Sequence, residues 1–412
     1  MIAIVSGRHD RLGARLIPAM QAKALSVLAP DFFSRYELYW PDQSEMSGAI
    51  VSISPASDIF SFDFADCILS AGNWLDRDDL CKFADIRNSA VSEYSAHDFA
   101  DFVRAATDKN LYFSNPFFKF SASSDVIRFC HEYSRSYFAD QILQQFLRVD
   151  CLVRNRFGAC PFVAVHCRRG DVYDYLIRRQ LWPDYLGRVC TRYDLFYCLK
   201  KIGSGNVLVL SDDADYFERE MSLIGMDLSN FNLMYEAELR LSGFGGTEVV
   251  LIDVISKSSL LFQSRSAFSD AAGLFAPLKR ILFGSLTNEL ESLPPFDFED
   301  PENFLFHART ALWVGRNPKS LFARDGYLEA FIEAIALSDK TFAFHVDLFK
   351  TPGVRALMGR VEASSLLREK VQHLLGNLDK FPERCSILLP GVWRQWYQRS
   401  KEGFLALYGD LS

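Results

Sequence analysis

Short apolar runs alternate with amphipathic stretches between residues 162 and 283, and this alternation predicts an α/β domain. The runs are apolar at successive positions, as expected of parallel strands that are covered on both faces. The predicted strands are Phe162–Val165, Val207–Leu210, Asn232–Tyr235 and Leu260–Gln263, and the predicted helices between them lie near 194–201, 215–224 and 247–256. Strands that alternate with helices in this way predict βαβ units in one parallel sheet.

The N-terminal part of the chain also begins with a strand, a loop and a helix. The apolar run Ile2–Val5 enters a glycine-containing loop from Gly7 to Gly13. Apolar residues then recur at helical spacings of three and four from Leu16 to Ala24. These signals predict two α/β domains, over residues 1–157 and 158–290.

The last third of the chain has a different pattern. Residues 291–301 are rich in proline and acidic side chains, which predicts a linker. Helical stripes follow, so residues 291–412 are expected to form the linker and a helical C-terminal extension. The helix expected to begin at Pro390 could dock on the body of the protein, on a membrane surface or on a partner. Docking on the body is the favoured interpretation.

The composition is that of a folded, water-soluble protein. The chain has 412 residues, of which 49% are hydrophobic and 24% are charged, enough for two to three domains with cores of their own. The formal net charge is -7, which argues against a general affinity for nucleic acid. Any anion site must therefore be local.

The cysteines and the N-terminus predict a cytoplasmic protein. Nine cysteines form no Cys-x-x-Cys pair, which argues against a zinc knuckle or a redox dithiol and suits a reducing compartment. The N-terminal residues lack the basic and apolar regions of a signal peptide. No window is long and apolar enough to cross a membrane, although contact with the inner membrane through the C-terminal helices could still occur. The oligomeric state cannot be read from the sequence.

The segment His166-Cys-Arg-Arg-Gly-Asp171 is the most informative in the chain. A strand ends here, and its side chains change from apolar to cationic within three residues. Because ligands bind at the carboxyl ends of strands in open α/β sheets, Arg168 and Arg169 form a candidate anion clamp. The planar guanidinium group donates paired hydrogen bonds to a diphosphate. The alternative is that both arginines pair with carboxylates and hold a loop.

Two further strand ends carry candidate ligand-binding groups. Asp212 follows the strand 207–210, and a carboxylate there can accept hydrogen bonds from N1-H and the N2 amine of guanine; helix capping is the alternative for such acids. After the strand 260–263, Ser266, Phe268 and Ser269 open a helix, where hydroxyl and backbone N–H groups bind phosphate.

These motifs, in this order, resemble those of the bacterial alpha-1,2-fucosyltransferases and, more distantly, of the alpha-1,6- and protein O-fucosyltransferases. The family's His-x-Arg-Arg-Gly-Asp segment matches His166 to Asp171, its Phe-Ser-Asp-Asp segment matches Leu210 to Asp213, and its Ser-Ser-Phe-Ser segment matches Arg265 to Ser269. Its N-terminal glycine loop is matched by Arg11-Leu12-Gly13, followed by Ala14 and Arg15 in place of polar amides. The resemblance covers roughly residues 1 to 285, and the helical extension has no counterpart in it.

The resemblance implies a GT-B fold, in which two Rossmann-like domains face a cleft. It implies inverting transfer of L-fucose from GDP-fucose to a hydroxyl of a glycan acceptor by a bacterial enzyme that needs neither a metal ion nor another cofactor. Arg168 would stabilise the leaving β-phosphate and His166 would join it in catalysis. The remaining donor-binding residues would be Gly13, Arg169, Asp212, Ser266, Phe268 and Ser269.

Three questions stay open at this point. The general base could be His9, Asp10 or His166, although a lone histidine is more often structural. The same fold could use another nucleotide sugar as donor. The chain could also be a non-catalytic scaffold that binds a partner through its C-terminal helices.

Overall fold

The chain folds into two α/β domains that face a cleft, followed by a helical extension. The computed structural model describes residues 1–7, 12–41, 43–46, 49–69, 80–82, 94–113, 124–170, 172–173, 176, 183–213, 215–286, 293–317, 319, 326–337, 341–359, 365–379 and 390–409. His9, Asp10, Arg11 and Asp171 lie outside the described residues. Two parallel five-stranded sheets on opposite sides of a cleft are the GT-B arrangement that the resemblance implies.

The first domain is built on a parallel sheet with the order β5-β2-β1-β7-β6. Its strands are β1 (Ile2–Gly7), β2 (Phe33–Tyr39), β5 (Cys67–Leu69), β6 (Leu80–Lys82) and β7 (Asn110–Phe113), and a two-stranded hairpin is formed by β3 (Gln43–Met46) and β4 (Ala49–Ser52). Its helices are α1 (Leu12–Leu28), α2 (Ala56–Ile59), α3 (Ala96–Ala106), α4 (Asp125–Tyr133) and α5 (Asp140–Phe157). The central strand β1 therefore delivers the chain to the cleft just before α1.

The second domain has the sheet order β10-β9-β8-β11-β12, with every pair parallel. Its strands are β8 (Phe162–Cys167), β9 (Gly205–Ser211), β10 (Phe231–Tyr235), β11 (Leu260–Gln263) and β12 (Arg280–Leu282). Its helices are α6 (Pro183–Leu186), α7 (Arg192–Ile202), α8 (Tyr216–Leu223), α9 (Thr247–Ser256), α10 (Ala267–Asp270) and α11 (Phe283–Leu286). Each predicted strand and helix of this domain is therefore confirmed.

The strand register brings the three motif-bearing strand ends together. His166 lies opposite Leu210 of β9 on one side and opposite Gln263 of β11 on the other. The carboxyl ends of β8, β9 and β11 therefore meet at one edge of the sheet.

The two domains share one apolar core. Helix α5, which the sequence places in the first domain, packs against α9 of the second. Phe146 of α5 lies edge-on to Phe275, and Lys257 pairs with Asp150 at 2.5 Å. Helix α1 contacts α10 directly, so the floor of the cleft is closed by packed side chains.

The C-terminal extension is helical, as predicted. Its helices are α12 (Pro301–Arg316), α13 (Tyr327–Ala334), α14 (Phe342–Phe349), α15 (Pro352–Met358), α16 (Ser365–Asn377) and α17 (Pro390–Tyr408). Phe404 and Tyr408 of α17 are buried in this block, and the Tyr408 hydroxyl donates to the Phe349 carbonyl at 2.6 Å. The terminal helix thus docks on the protein itself. Within the described part of the chain, no helix has the length and apolar character needed to span a bilayer.

Candidate functional site

A cavity of about 530 Å³ lies in the cleft, at the carboxyl edge of the second sheet. Six of the predicted site residues line it: Gly13, His166, Arg168, Asp212, Ser266 and Phe268. It is a size typical of pockets that enclose small organic ligands. The strand-end rule therefore located the cavity from sequence alone.

Arg168 is the residue that follows β8, and it is half-buried in the cavity wall. Its carbonyl oxygen accepts a hydrogen bond from the Cys190 N–H at 2.9 Å, which ties the turn to the loop before α7. Burial, together with the positive charge of Arg168, lowers the pKa of the neighbouring His166 imidazole to about 3.

His166 is therefore an uncharged hydrogen-bonding group at neutral pH. Its Nδ1 lies 3.1 Å from the Ser269 hydroxyl, and its ring packs against Phe268 at 5.2 Å between centroids. A group with so low a pKa is a poor general base near neutrality, since efficient proton transfer needs a pKa close to the working pH. The suggestion that His166 serves as the base is not supported by this environment.

Ser269 and Ser266 occupy different positions. Ser269 is fully buried behind His166 and does not line the cavity, so it supports the imidazole rather than facing a ligand. Ser266 does line the cavity, at the residue before α10. The sequence predicted that Ser269 binds the donor. The structure places it elsewhere, because α10 is a single turn and its third residue, Ser269, points back to β8.

Arg169 lies on the other side of the loop and is absent from the cavity wall. Its guanidinium group is buried between the rings of Tyr173 and Tyr216 and pairs with Glu302 at 2.6 Å. The alternative stated for this residue, an ion pair that holds a loop, is the correct one. Successive residues of an extended segment point in opposite directions, so only Arg168 of the pair can face the cleft.

Asp212 lines the cavity and also holds the loop that carries the arginines. Its Oδ1 accepts the Arg169 backbone N–H at 2.7 Å. A Cβ atom on Gly170 would collide with the Asp212 carboxylate, so a larger residue at this position would displace that side chain.

Gly13 allows the two domains to approach each other. A Cβ atom at this position would lie 2.7 Å from the backbone nitrogen of Phe268. Arg15, two residues further along α1, is fully buried in the first domain and donates to the Pro41 carbonyl at 2.5 Å. It contributes to the first domain's packing and does not line the cavity.

Sequence reasoning missed several charged residues in the cavity wall. They are Arg188, Arg265, Glu236, Glu248 and Asp270. Glu236 directly follows β10, so the rule that found Arg168 and Asp212 also applies to it. Arg265 lies two residues after β11, so the rule applies to it as well. Arg188 had no such signal: it enters the wall because the Arg265 N–H donates to the Gly187 carbonyl at 2.8 Å, a contact between distant segments.

Three of the acidic side chains, Asp212, Glu236 and Glu248, lie close together in the cavity wall. Burial raises the pKa of Glu236 to about 7, the Ser211 backbone opposes this by donating a hydrogen bond, and the charges of Asp212 and Glu248 raise it further. In the sheet, β10 and β9 are followed by Glu236 and Asp212, while β8 and β11 are followed by Arg168 and Arg265. The cavity thus has acids beside β9 and β10 and arginines beside β8 and β11, where Asp270 of α10 adds one further acid.

The backbone is similar to those of fucosyltransferases of known structure, at low sequence identity. The fucosyltransferase NodZ from Bradyrhizobium is 14% identical with a TM-score of 0.40, and the match covers 67% of this chain and 93% of that one. NodZ alpha-1,6-fucosyltransferase soaked with GDP-fucose gives a TM-score of 0.37 at 14% identity, over 67% and 94%. POFUT1 in complex with GDP gives 0.35 at 13% identity, over 68% and 98%. No protein-family model and no curated protein sequence matches the chain.

Proposed function

We propose that this protein is an inverting glycosyltransferase that transfers L-fucose from GDP-fucose to a hydroxyl group of a glycan. The observation that carries the proposal is the placement of Arg168, at the end of the central strand and in the wall of the cleft cavity. A guanidinium group there can bind the diphosphate of a nucleotide sugar, in a chain whose overall charge is negative.

The division of charge in the cavity fits a purine nucleoside diphosphate. Arg168, Arg188 and Arg265 supply cationic donors for phosphate oxygens. Asp212 and Glu236 supply acceptors, and guanine offers N1-H and the N2 amine as a donor pair that adenine and uracil lack. The acidic half therefore supports guanine as the base and the basic half supports the diphosphate.

The mechanism follows from the charge that develops during sugar transfer. As the bond between the anomeric carbon and the diphosphate breaks, negative charge grows on the leaving β-phosphate and the sugar becomes oxocarbenium-like. Arg168 stabilises the leaving group with a charge that is already in place, and Ser266 adds a hydroxyl donor beside it. The proposal therefore assigns leaving-group stabilisation to this arginine.

A donor screen with purified protein tests the proposal. GDP-fucose, other GDP-sugars and UDP-sugars are offered with glycan acceptors, and products are analysed by mass and linkage. We expect fucose transfer from GDP-fucose, and Arg168→Ala should lower the rate on the order of 100- to 1,000-fold.

Arg219→Ala is the matched control, because Arg219 is an exposed arginine that pairs with Asp213 and Glu220 outside the cavity. It should keep the wild-type rate. Transfer from a UDP-sugar alone would replace the donor assignment. Wild-type turnover in Arg168→Ala would overturn the mechanism, and failure to bind any nucleoside diphosphate would favour a non-catalytic scaffold.

A further inference from the structure

A buried ion-pair cluster joins the C-terminal helical extension to the second domain. Glu302, in the first turn of α12, pairs with Arg169 at 2.6 Å, and the two side chains are only 4% and 7% exposed. Asp300 caps the same helix by accepting the Glu302 N–H at 3.0 Å. The carboxylate therefore comes from the start of a rigid element rather than from a loose linker.

The Arg169 guanidinium group is held by two aromatic rings, a backbone carbonyl and the Glu302 carboxylate. It lies 3.7 Å from the ring centre of Tyr173 and 4.0 Å from that of Tyr216, and its Nη1 donates to the Cys190 carbonyl at 2.9 Å. Glu302 in turn accepts the Tyr216 hydroxyl at 2.8 Å and the Arg192 N–H at 2.9 Å. This network restrains both the position and the orientation of Arg169.

One peptide unit connects this network to the cavity. Arg168 and Arg169 are consecutive, with one side chain toward the cleft and the other toward α12. The backbone between them is held from both directions: the Arg168 carbonyl accepts from Cys190 and the Arg169 N–H donates to Asp212. Rotation of the Arg168 backbone would therefore pull Arg169 away from Glu302.

We propose that Glu302 is a positioning residue for Arg168, so that the helical extension forms part of the donor site. Buried ion pairs are weak evidence for stability, because well-packed apolar side chains of similar volume hold elements together at least as well. What the pair supplies here is a fixed geometry for the neighbouring arginine, whose charge must be in place before the leaving group departs. The inference rests on the proposed function, since it assigns Arg168 to the diphosphate.

The test compares Glu302→Gln with a variant of another ion pair that lies away from the loop holding Arg168. Arg135, between α4 and α5, pairs with the fully buried Asp253 of α9 at 2.7 Å and also donates to the Ser256 hydroxyl and the Phe275 carbonyl. Arg135→Met therefore removes a link between the two domains without removing a described bond of that loop. Titrations with GDP and with guanosine, alongside thermal unfolding, are carried out on the full chain.

We expect Glu302→Gln to weaken GDP binding about tenfold or more while guanosine binding stays within about twofold, because only GDP carries the diphosphate. Arg135→Met should lower the unfolding temperature and leave GDP binding unchanged. In Arg168→Ala, the added Glu302→Gln change should have no further effect on GDP affinity. If Glu302→Gln does not fold, Glu302→Asp keeps the charge at a shorter reach and should show the same selective loss for GDP.

Three results would each show that Glu302 only supports the fold. The two ion-pair variants could lose GDP affinity equally, or Glu302→Gln could weaken GDP and guanosine binding equally. The effects of Glu302→Gln and Arg168→Ala on GDP affinity could also be additive. Binding of GDP by Glu302→Gln with wild-type affinity would also overturn the inference and leave the proposed function standing. A wild-type protein that does not bind GDP would instead remove the proposed function.

Discussion

At the scale of single residues, the site is defined by neighbours that point in opposite directions. Arg168 faces the cavity and Arg169 faces Glu302, although the two have the same chemistry and adjacent positions in the sequence. The sequence could offer both as an anion clamp but could not separate them, because the carboxylate that captures Arg169 lies far downstream on α12. Likewise, the burial that suppresses the basicity of His166 exists only once the domains are packed.

Glu236 makes a residue-scale prediction about pH. Its pKa is raised to about 7 by burial, with the nearby acids adding to the effect, and donor groups of guanine would bind the ionised carboxylate. GDP affinity should therefore fall as the pH drops from 8 to 6, approaching a tenfold loss per pH unit below about 7, as linkage of one proton requires. Titrations at several pH values measure this.

Glu236→Gln should remove the pH dependence of GDP binding between pH 6 and 8. Glu248→Gln should shift the midpoint of this pH dependence to lower pH, because the charge of Glu248 is one of the influences that raise the pKa of Glu236. A GDP affinity that is constant over this range in the wild-type protein would show that Glu236 does not titrate on binding.

At the scale of elements, the contact between α1 and α10 controls how closely the domains approach. Gly13→Ala would place a Cβ atom 2.7 Å from the Phe268 backbone nitrogen. We expect a loss of about 1–3 kcal/mol in the free energy of unfolding, typical of overpacking, together with weaker GDP binding because Phe268 lines the cavity. Urea unfolding and GDP titration measure the two effects.

Gly376→Ala provides the control for this substitution. Gly376 lies near the end of α16, and a Cβ atom there meets no other atom within 4 Å. Replacing a helical glycine by alanine should be neutral or stabilise by up to about 1 kcal/mol. If Gly13→Ala behaved like Gly376→Ala, close packing at Gly13 would not limit the approach of the domains.

Elements were more predictable than the contacts between them. The helix Thr247–Ser256 and the strand Leu260–Gln263 have the same bounds in the sequence prediction and in the structure, because burial on both faces leaves a continuous apolar pattern. Helix α5 packs with the second domain although the sequence prediction places it in the first, and no local pattern indicates this contact. Arg188 reaches the cavity for the same reason, through a contact with a distant strand end.

At the scale of the whole molecule, three buried histidines predict acid sensitivity. Burial lowers the pKa of His166 and of His345 to about 3 and that of His307 to about 4. Unfolded histidine binds a proton below about pH 6.5, so stability falls as the pH drops through that value, by about 1.4 kcal/mol per pH unit for each histidine. Glu236 has the opposite effect on stability. Because its folded pKa is raised to about 7, it adds to stability as the pH falls from about 7 toward its unfolded pKa.

Denaturant unfolding between pH 7 and 5 measures this sensitivity. His345→Phe should reduce the slope by the contribution of one histidine, since both ring nitrogens of His345 are without a hydrogen-bond partner and the ring packs beside Phe349. An unchanged slope in this variant would mean that His345 is protonated in the folded protein.

Calorimetric titration of GDP into the wild-type protein and into Arg168→Ala tests the role of Arg168 most directly. We expect the wild-type protein to bind GDP more tightly than ADP or UDP. We also expect the variant to lose at least about tenfold in GDP affinity, as is usual when a charged hydrogen-bond donor is removed, while guanosine binds both proteins alike. Equal GDP affinity in the two proteins would contradict this role of Arg168.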